Sequence, residues 1–200
     1  MERIERRWVV CAFGDIRGFG SWTSRAASSR EVKDPFVFSF YQSLQSYVHK
    51  HKDVHFKYTG DGFFALKEFS NSDSKNIALF LKTLRCATRK VRKDIRKCAW
   101  PQPDGFRIRI TCGDVYRLTV VDPNDPKRKR LISEYIEYAT NSAAHLLQVN
   151  PQVGALATEG VVKVLARYRS TFGVRPLGKP SRYPESVNRE DVERLFILKF

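Results

Sequence analysis

The chain has 200 residues, 42% of them hydrophobic and 12% aromatic, which is enough to build one hydrophobic core in a single domain over residues 1–200. This content excludes an intrinsically disordered chain, and no apolar run reaches the roughly 20 residues of a membrane-spanning helix. The net charge of +15 favours anionic partners: nucleotides, nucleic acid or an acidic membrane surface. We expect no signal peptide, four reduced cysteines and a cytoplasmic location.

The first half of the sequence alternates between strand and helix patterns. An apolar run over residues 8–13 predicts a buried strand, and apolar positions at three- and four-residue steps predict a helix over 35–51. Two β-type segments over 55–66 flank Asp61-Gly62, a dipeptide typical of hairpin turns. Polar residues 70–74 offer N-caps for a second long helix over 77–98. Its basic outer face indicates a solvated surface, because no aromatic residue is interleaved for stacking on bases.

The second half predicts further strands and shorter helices. Apolar residues alternate with Arg107 and Arg109 over 106–110, which predicts a strand with one solvated face, and 115–121 is expected to return antiparallel beside it. The basic run 127–130 is interpreted as a solvated hairpin tip. Helices are expected after Asn141 and over 161–168, and strands over 154–158 and 195–200. The pattern predicts one α+β domain with helices packed on a mainly antiparallel sheet.

Two aspartates follow strand-like segments, and both are candidate metal ligands. Asp15 ends the first strand and Asp61 lies in the hairpin turn. If the fold brings them together, their carboxylates suit a pair of hard cations. The glycines after Asp15 would let backbone N–H groups surround phosphate oxygens, an arrangement that suits phosphoryl transfer. Taken singly, Asp61 is equally well a turn residue and Asp15 a helix cap.

Four segments carry recognisable motifs in order along the chain. Residues 13–19 read FGDIRGF, 57–63 read KYTGDGF, 108–115 read IRITCGDV and 138–146 read YATNSAAHL. The set resembles the two metal motifs, the central Gly-x-x-x-Gly-x-Val strand (without its first glycine) and the Asn-containing helix start of class III nucleotidyl cyclases. The final fifty or so residues match only through Gly178-Lys179 and the closing strand.

This resemblance implies a ferredoxin-like cyclase fold that works as a head-to-tail homodimer with active sites at the interface. Two divalent ions, Mn²⁺ or Mg²⁺, would be bound at Asp15, Ile16 and Asp61. One ion would help to deprotonate the ribose 3′-hydroxyl and the other would hold the triphosphate. The 3′-oxygen would then attack the α-phosphate and release pyrophosphate, as expected of a lyase.

The same resemblance implies substrate contacts outside the metal motifs. Asn141 of the opposite protomer would orient the ribose. Backbone amides over residues 16–20, within the segment that contains Arg17, Gly18 and Phe19, would hold the β- and γ-phosphates, and Lys179 would reach them.

His145 departs from the family, which has an arginine at this place to stabilise charge in the transition state. Either the histidine serves with a weaker effect, since it must be protonated and lacks the guanidinium fork, or Arg17 or Arg107 substitutes. A catalytically inactive domain that only binds nucleotide is the other possibility.

The resemblance implies that Lys57 and Glu134 recognise the nucleobase and that Tyr58 narrows the pocket. Alternatively, Lys57 and Glu134 have only a structural role and form an ion pair across the interface.

The stand-alone chain is similar to the pyrimidine cyclases of bacterial Pycsar anti-phage systems. This similarity implies cyclic UMP, or next cyclic CMP, as a messenger for an effector with a cyclic-nucleotide-binding domain. An adenylate cyclase is a second hypothesis. A basic nucleic-acid-binding domain without catalysis is a third, although we expect neither nucleic acid nor a membrane as partner.

Overall fold

The computed structural model describes residues 3–27, 41–47, 53–70, 73–97, 105–121, 131–136, 138–150, 152–178 and 194–200. The strands are β1 (Arg3–Arg17), β2 (His55–Tyr58), β3 (Gly62–Glu68), β4 (Gly105–Val121), β5 (Leu131–Ile136), β6 (Ala155–Thr158), β7 (Arg175–Pro176) and β8 (Leu195–Ile197). The helices are α1 (Phe19–Ala27), α2 (residues 41–47), α3 (Ser74–Ile95), α4 (Tyr138–His145) and α5 (Glu159–Val164). Single 3₁₀ turns follow at Leu146–Gln148, Ala166–Tyr168 and Ser170–Phe172.

Two long strands, β1 and β4, form the centre of an eight-stranded sheet. The strand order is β2-β3-β1-β4-β6-β8-β7, and β5 pairs with the second half of β4. Among the described strands, only the pairing of β4 with β6 is parallel. The predicted α+β architecture with a mainly antiparallel sheet is therefore confirmed.

The alternating side chains of β1 divide the hydrophobic core between the two faces of the sheet. Val10 and Ala12 belong to the larger cluster, which includes buried residues of α1, α2, α3 and α5. Val9 and Cys11 face the other way, into a smaller cluster that α4 covers through Ala139 and Ala143. Among the described helices, only α4 contributes buried residues to this second cluster.

One predicted strand pair is wrong. Residues 105–121 form a single strand, so 115–121 continues the strand of 106–110 instead of turning back beside it. The reason is the length of β1, whose 15 residues pair with β4 from Arg3 opposite Thr119 to Arg17 opposite Gly105. This partner supplies ladder hydrogen bonds along almost the whole of β4 and keeps it extended through Gly113.

Helix α3 agrees with its predicted apolar stripe. Asp73 caps its first turn by accepting from the N–H of Asn76 at 3.2 Å. The basic outer face is partly engaged, because Arg92 donates to the carbonyl of Phe200 at 2.8 Å and Arg85 to that of Thr171 at 2.8 Å. In the described part of the chain, no helix is long and apolar enough to cross a membrane.

Other helix boundaries differ from the prediction. Only residues 41–47 of the predicted 35–51 helix are described, and the predicted hairpin tip at 127–130 lies outside the described residues. Helix α4 begins at Tyr138, so Asn141 lies inside it and does not precede it. The predicted helix over 161–168 is α5 followed by a 3₁₀ turn.

Candidate active site

Asp15 lies near the end of β1, where the strand is hydrogen-bonded on both sides. Its position is opposite Gly62 of β3 and opposite Arg107 of β4. The carboxylate is 14% exposed, and it accepts from Arg107 Nε at 2.7 Å and from Nη2 at 2.5 Å. Nη1 of the same arginine donates to the carbonyl of Leu147 at 2.8 Å. Arg107 thus fixes Asp15 to the segment that follows α4.

The β2–β3 hairpin places Asp61 beside Asp15. The N–H of Thr59 donates to the carbonyl of Gly62 at 3.0 Å, so the two central turn residues are Gly60 and Asp61. Only the glycine has positive φ, at 76°, as in hairpin turns whose first central residue is glycine. The predicted Asp61-Gly62 turn is therefore wrong by one residue.

Gly62 has a different role, because it lets β3 approach β1 at Asp15. A Cβ at Gly62 would lie 2.2 Å from the backbone oxygen of Gly14, a distance that no side chain tolerates. The N–H of Ile16 donates to the carbonyl of Asp61 at 3.1 Å, which ties the turn to β1. The two aspartates are consequently neighbours across the strand pair.

The charges around Asp15 act in opposite directions. Burial raises the pKa of Asp15, Arg107 lowers it, and the repulsion of Asp61 raises it again. The net shift is upward, so this carboxyl gives up its proton less readily than an exposed aspartate. Two close carboxylates of this kind attract a cation that neutralises both. Among the described residues there is no group of three or more His, Cys, Asp and Glu side chains that would form a closed metal site.

The predicted phosphate-binding segment is a strand end followed by a helix. Gly18 has a φ of 69° and ends the extended chain, and α1 begins at Phe19, whose ring packs on Trp22 at 5.6 Å. Because the N–H of Ile16 is bonded to Asp61, it is not available to a phosphate as the prediction required. The first turn of α1 follows directly from the same strand end, and the N-terminus of a helix attracts anions. Lys179 lies outside the described residues.

A second cluster of predicted site residues surrounds a cavity of about 280 Å³. Lys57, Tyr58, Glu134 and Asn141 line it, and neither Asp15 nor Asp61 does. Lys57 Nζ and Glu134 Oε2 form an ion pair within one chain, whereas the sequence-based alternative placed this pair across an interface. The side chains of Lys57 and Glu134 are each about half exposed, so a ligand can reach the pair.

The opposite end of this cavity is formed by α4. Asn141 is exposed, and His145, the last residue of α4, is half-buried one helical turn later. Residues four apart lie on the same side of a helix, so the two predicted catalytic side chains share one face.

Three residues near these clusters were not predicted from the sequence as part of a site. The hydroxyl of Tyr41 bonds the carbonyl of Gly60, and its ring packs edge-on against Tyr58 at 4.8 Å. His55 lines the cavity beside Lys57. Arg109 was expected on a solvated face but is fully buried, because the segment after α4 covers it. Arg109 stands where the central strand motif has its first glycine, and this departure from the motif was the one signal in the sequence that the position is unusual.

Comparison with solved structures relates this geometry to known folds. The adenylyl cyclase CyaB from P. aeruginosa superposes with a TM-score of 0.70 at 14% identity, over 98% of this chain and 95% of that one. The guanylyl cyclase Cya2 superposes with a TM-score of 0.63 at 15% identity, over 97% of this chain and 91% of that one. The fold is that of a class III cyclase catalytic domain. The guanylate cyclase domain of RhGC from Catenaria anguillulae, in complex with GTP, gives 0.60 at 12% identity, over 97% of both chains. No family model and no curated protein matches the sequence.

Proposed function

We propose that this chain is a nucleotidyl cyclase that converts a nucleoside triphosphate into its 3′,5′-cyclic monophosphate and pyrophosphate. The observation that carries the proposal is the pairing of Asp15 with Asp61 at the end of β1, on the fold of adenylyl and guanylyl cyclase domains. We further propose that it acts as a single cyclase domain in the cytoplasm.

The donor set around Asp15 fits Mg²⁺ or Mn²⁺. Mg²⁺ in phosphoryl-transfer sites takes one or two carboxylates and completes its shell with water and substrate phosphates, so a closed protein cage is not required. Asp15 and Asp61 would supply the carboxylates, and Ile16 directly follows Asp15 in β1. Two bound ions would neutralise the triphosphate and favour ionisation of the ribose 3′-hydroxyl.

The chain's own residues would position the substrate for an in-line displacement. Asn141 orients the ribose so that its 3′-oxygen faces the α-phosphate; the new bond forms there as the bond to the β-phosphate breaks. The first-turn N–H groups of α1 bind the leaving pyrophosphate oxygens, with Arg17 nearby. His145 lies one turn from Asn141 and, when protonated, would stabilise the charge that develops at the phosphate.

Arg107 is not free to take the role of the family's arginine while it holds Asp15. Its guanidinium is bonded to this carboxylate and to the carbonyl of Leu147. Arg107 is therefore the less suitable of the two candidate substitutes, which leaves Arg17, or His145 itself, for that role.

A homodimer would complete the active site. The carboxylate pair lies at the end of β1, whereas Lys57, Glu134 and Asn141 share a cavity that neither aspartate lines. A head-to-tail dimer would bring the carboxylates of one protomer to the cavity of its partner. Each chain carries both sets, so two equivalent sites are expected.

We propose a pyrimidine substrate, UTP ahead of CTP. The cavity is small, and Tyr58 is held at its rim by the edge-on contact with Tyr41. Lys57 can donate to the O2 carbonyl of a pyrimidine, and Glu134 can accept from an imide N–H or an exocyclic amine. The cyclic product would then serve anti-phage defence through an effector with a cyclic-nucleotide-binding domain. An adenylate cyclase is the second candidate, because Lys57 can equally donate to a ring nitrogen of adenine.

Product analysis tests the proposal directly. The purified chain is incubated with Mn²⁺ and each of ATP, GTP, CTP and UTP, and the products are identified by mass together with released pyrophosphate. Asp15→Asn and Asp61→Asn should abolish turnover and keep the fold. Asp114→Asn is the matched control, since Asp114 is an exposed carboxylate on the same sheet, paired with Arg6 at 2.7 Å.

Two results would contradict the proposal. The first is full activity of either aspartate variant, which would remove the metal assignment. The second is a wild-type chain that releases no pyrophosphate from any nucleotide but binds DNA or RNA with steep salt dependence, as a nucleic-acid-binding domain would.

A further inference from the structure

His55 lies in the wall of the cavity that contains the Lys57–Glu134 pair. It is two residues before Lys57 in β2, so the two side chains project from the same face of the strand. Its imidazole packs edge-on against Tyr135, with ring centres 5.0 Å apart, and against Phe64 at 6.2 Å. These contacts pack the ring against the cavity wall, which Lys57 and Glu134 also line.

The surroundings keep this imidazole neutral. Burial lowers the pKa of His55, the charge of Lys57 lowers it further, and Glu134 opposes both with a smaller effect. A neutral imidazole carries one N–H donor and one nitrogen acceptor, and its tautomer can exchange the two. Lys57 offers only donors and Glu134 only acceptors, and in this structure they bond each other.

The hydrogen-bonding edge of a nucleobase matches such a group. Uracil presents an N–H between two carbonyl oxygens, and cytosine presents a ring nitrogen acceptor beside an exocyclic amine. The acceptor nitrogen of a neutral imidazole would pair with the ring N–H of uracil, and its N–H donor would pair with the ring nitrogen of cytosine, so the tautomer that faces the base would discriminate between the two. We propose that His55 is a specificity-determining residue, which contacts the edge of the substrate's base directly. This inference rests on the proposed function, since it assigns a role inside the same substrate cavity.

The alternative role of His55 is packing alone, as a flat ring between Tyr135 and Phe64. Two variants separate the roles. His55→Phe keeps a flat ring and removes both polar nitrogens, whereas His55→Gln keeps a donor and an acceptor and loses the ring. Folding of each is checked by its thermal midpoint against the wild type.

The measurement is made in two parts on the full chain. The first is kcat/KM for each of the four nucleoside triphosphates with Mn²⁺. The second is equilibrium binding of the four 3′-deoxynucleoside triphosphates, which lack the attacking hydroxyl and cannot be cyclised. Binding reports on the cavity even if turnover is absent.

We expect His55→Phe to lower kcat/KM for the preferred nucleotide by about 10- to 100-fold, and to reduce discrimination against the next nucleotide. His55→Gln should retain more of the discrimination than His55→Phe. The affinity for the 3′-deoxy form of the preferred nucleotide should fall in the same order, from the wild type to His55→Gln to His55→Phe.

A folded His55→Phe variant with an unchanged nucleotide profile would overturn the inference and leave the packing role. If the wild type is active and selective, a His55→Phe variant that loses kcat/KM equally for all four nucleotides would also overturn the inference. A wild type that cyclises nothing and binds no 3′-deoxynucleotide overturns the proposed function itself, and the inference with it. Base-selective binding without turnover would refute only the cyclase activity.

Discussion

Arg109 holds together the segment that follows α4, and its replacement by methionine should show how much that segment depends on it. The guanidinium is fully buried and has no carboxylate partner among the described residues. Its nitrogens donate to five carbonyl oxygens at 2.8–3.2 Å: those of Leu146, Ile108, Val153, Val149 and Asn150. Burial lowers the pKa of Arg109, and the charge of Arg107 lowers it further.

The cost of Arg109→Met is worked from the carbonyls that lose their partner. Ile108 lies where β4 pairs with β6, so its carbonyl belongs to the sheet ladder. Leu146 and Asn150 keep a second bond, because their oxygens also accept from the N–H groups of Val149 and Val153. The oxygens of Val149 and Val153 retain no other bond that the structure records among the described residues. A buried carbonyl without a partner costs about 1–3 kcal/mol, so the two together should cost about 2–6 kcal/mol. Methionine keeps the apolar stem, which limits any cavity.

The assay is urea unfolding at neutral pH, followed by circular dichroism and by tryptophan fluorescence, since Trp22 is buried in the core. With a slope of about 2 kcal/mol per molar urea, the midpoint should fall by about 1–3 M. Arg89→Met, at an exposed position of α3, is the control and should change the free energy of unfolding by less than about 0.5 kcal/mol.

A folded Arg109→Met variant whose midpoint equals that of the control would refute the reasoning. Hydrogen exchange adds a local readout. The amides of Val149 and Val153, which are hydrogen-bonded within this segment, should exchange faster in the variant, whereas those of α3 should change only with global stability.

Three further changes test other contacts. Gly62→Ala places a Cβ against the backbone of β1, so it should cost about 1–3 kcal/mol or more and weaken Mn²⁺ binding measured by calorimetry. Tyr41→Phe keeps the ring but removes the bond to Gly60, and should cost about 1 kcal/mol in urea unfolding. Bonds from Arg117 chiefly hold the pKa of Glu5 at about 2, below its ordinary 4.5. The contribution of ionised Glu5 to the free energy of unfolding is therefore complete above pH 4.5 and is lost as the pH falls towards 2. In Glu5→Gln, the unfolding midpoint should fall less between about pH 5 and about pH 3 than it does in the wild type.

Local patterns in the sequence were enough for much of the fold. The apolar run at residues 8–13 predicted the buried centre of β1, and the three- and four-residue spacing predicted the buried stripe of α3. These signals lie within one element, where the periodicity of burial follows directly from the geometry of a strand or a helix. The full length of β4 was missed, because it depends on pairing with β1, a strand about a hundred residues earlier in the chain.

For the candidate site, the sequence determined which chemical groups are present and which of them end a strand or a turn. Asp15, Asp61 and Asn141 were predicted in this way, from motifs in their own segments. Only the tertiary structure decided what these groups face. It turned Arg107 onto Asp15, buried Arg109 under carbonyls some forty residues later, and joined Lys57 to Glu134 within one chain. A contact between segments distant in the chain leaves no periodic trace in either segment, because it is set by how the strands register and how the helices pack across them.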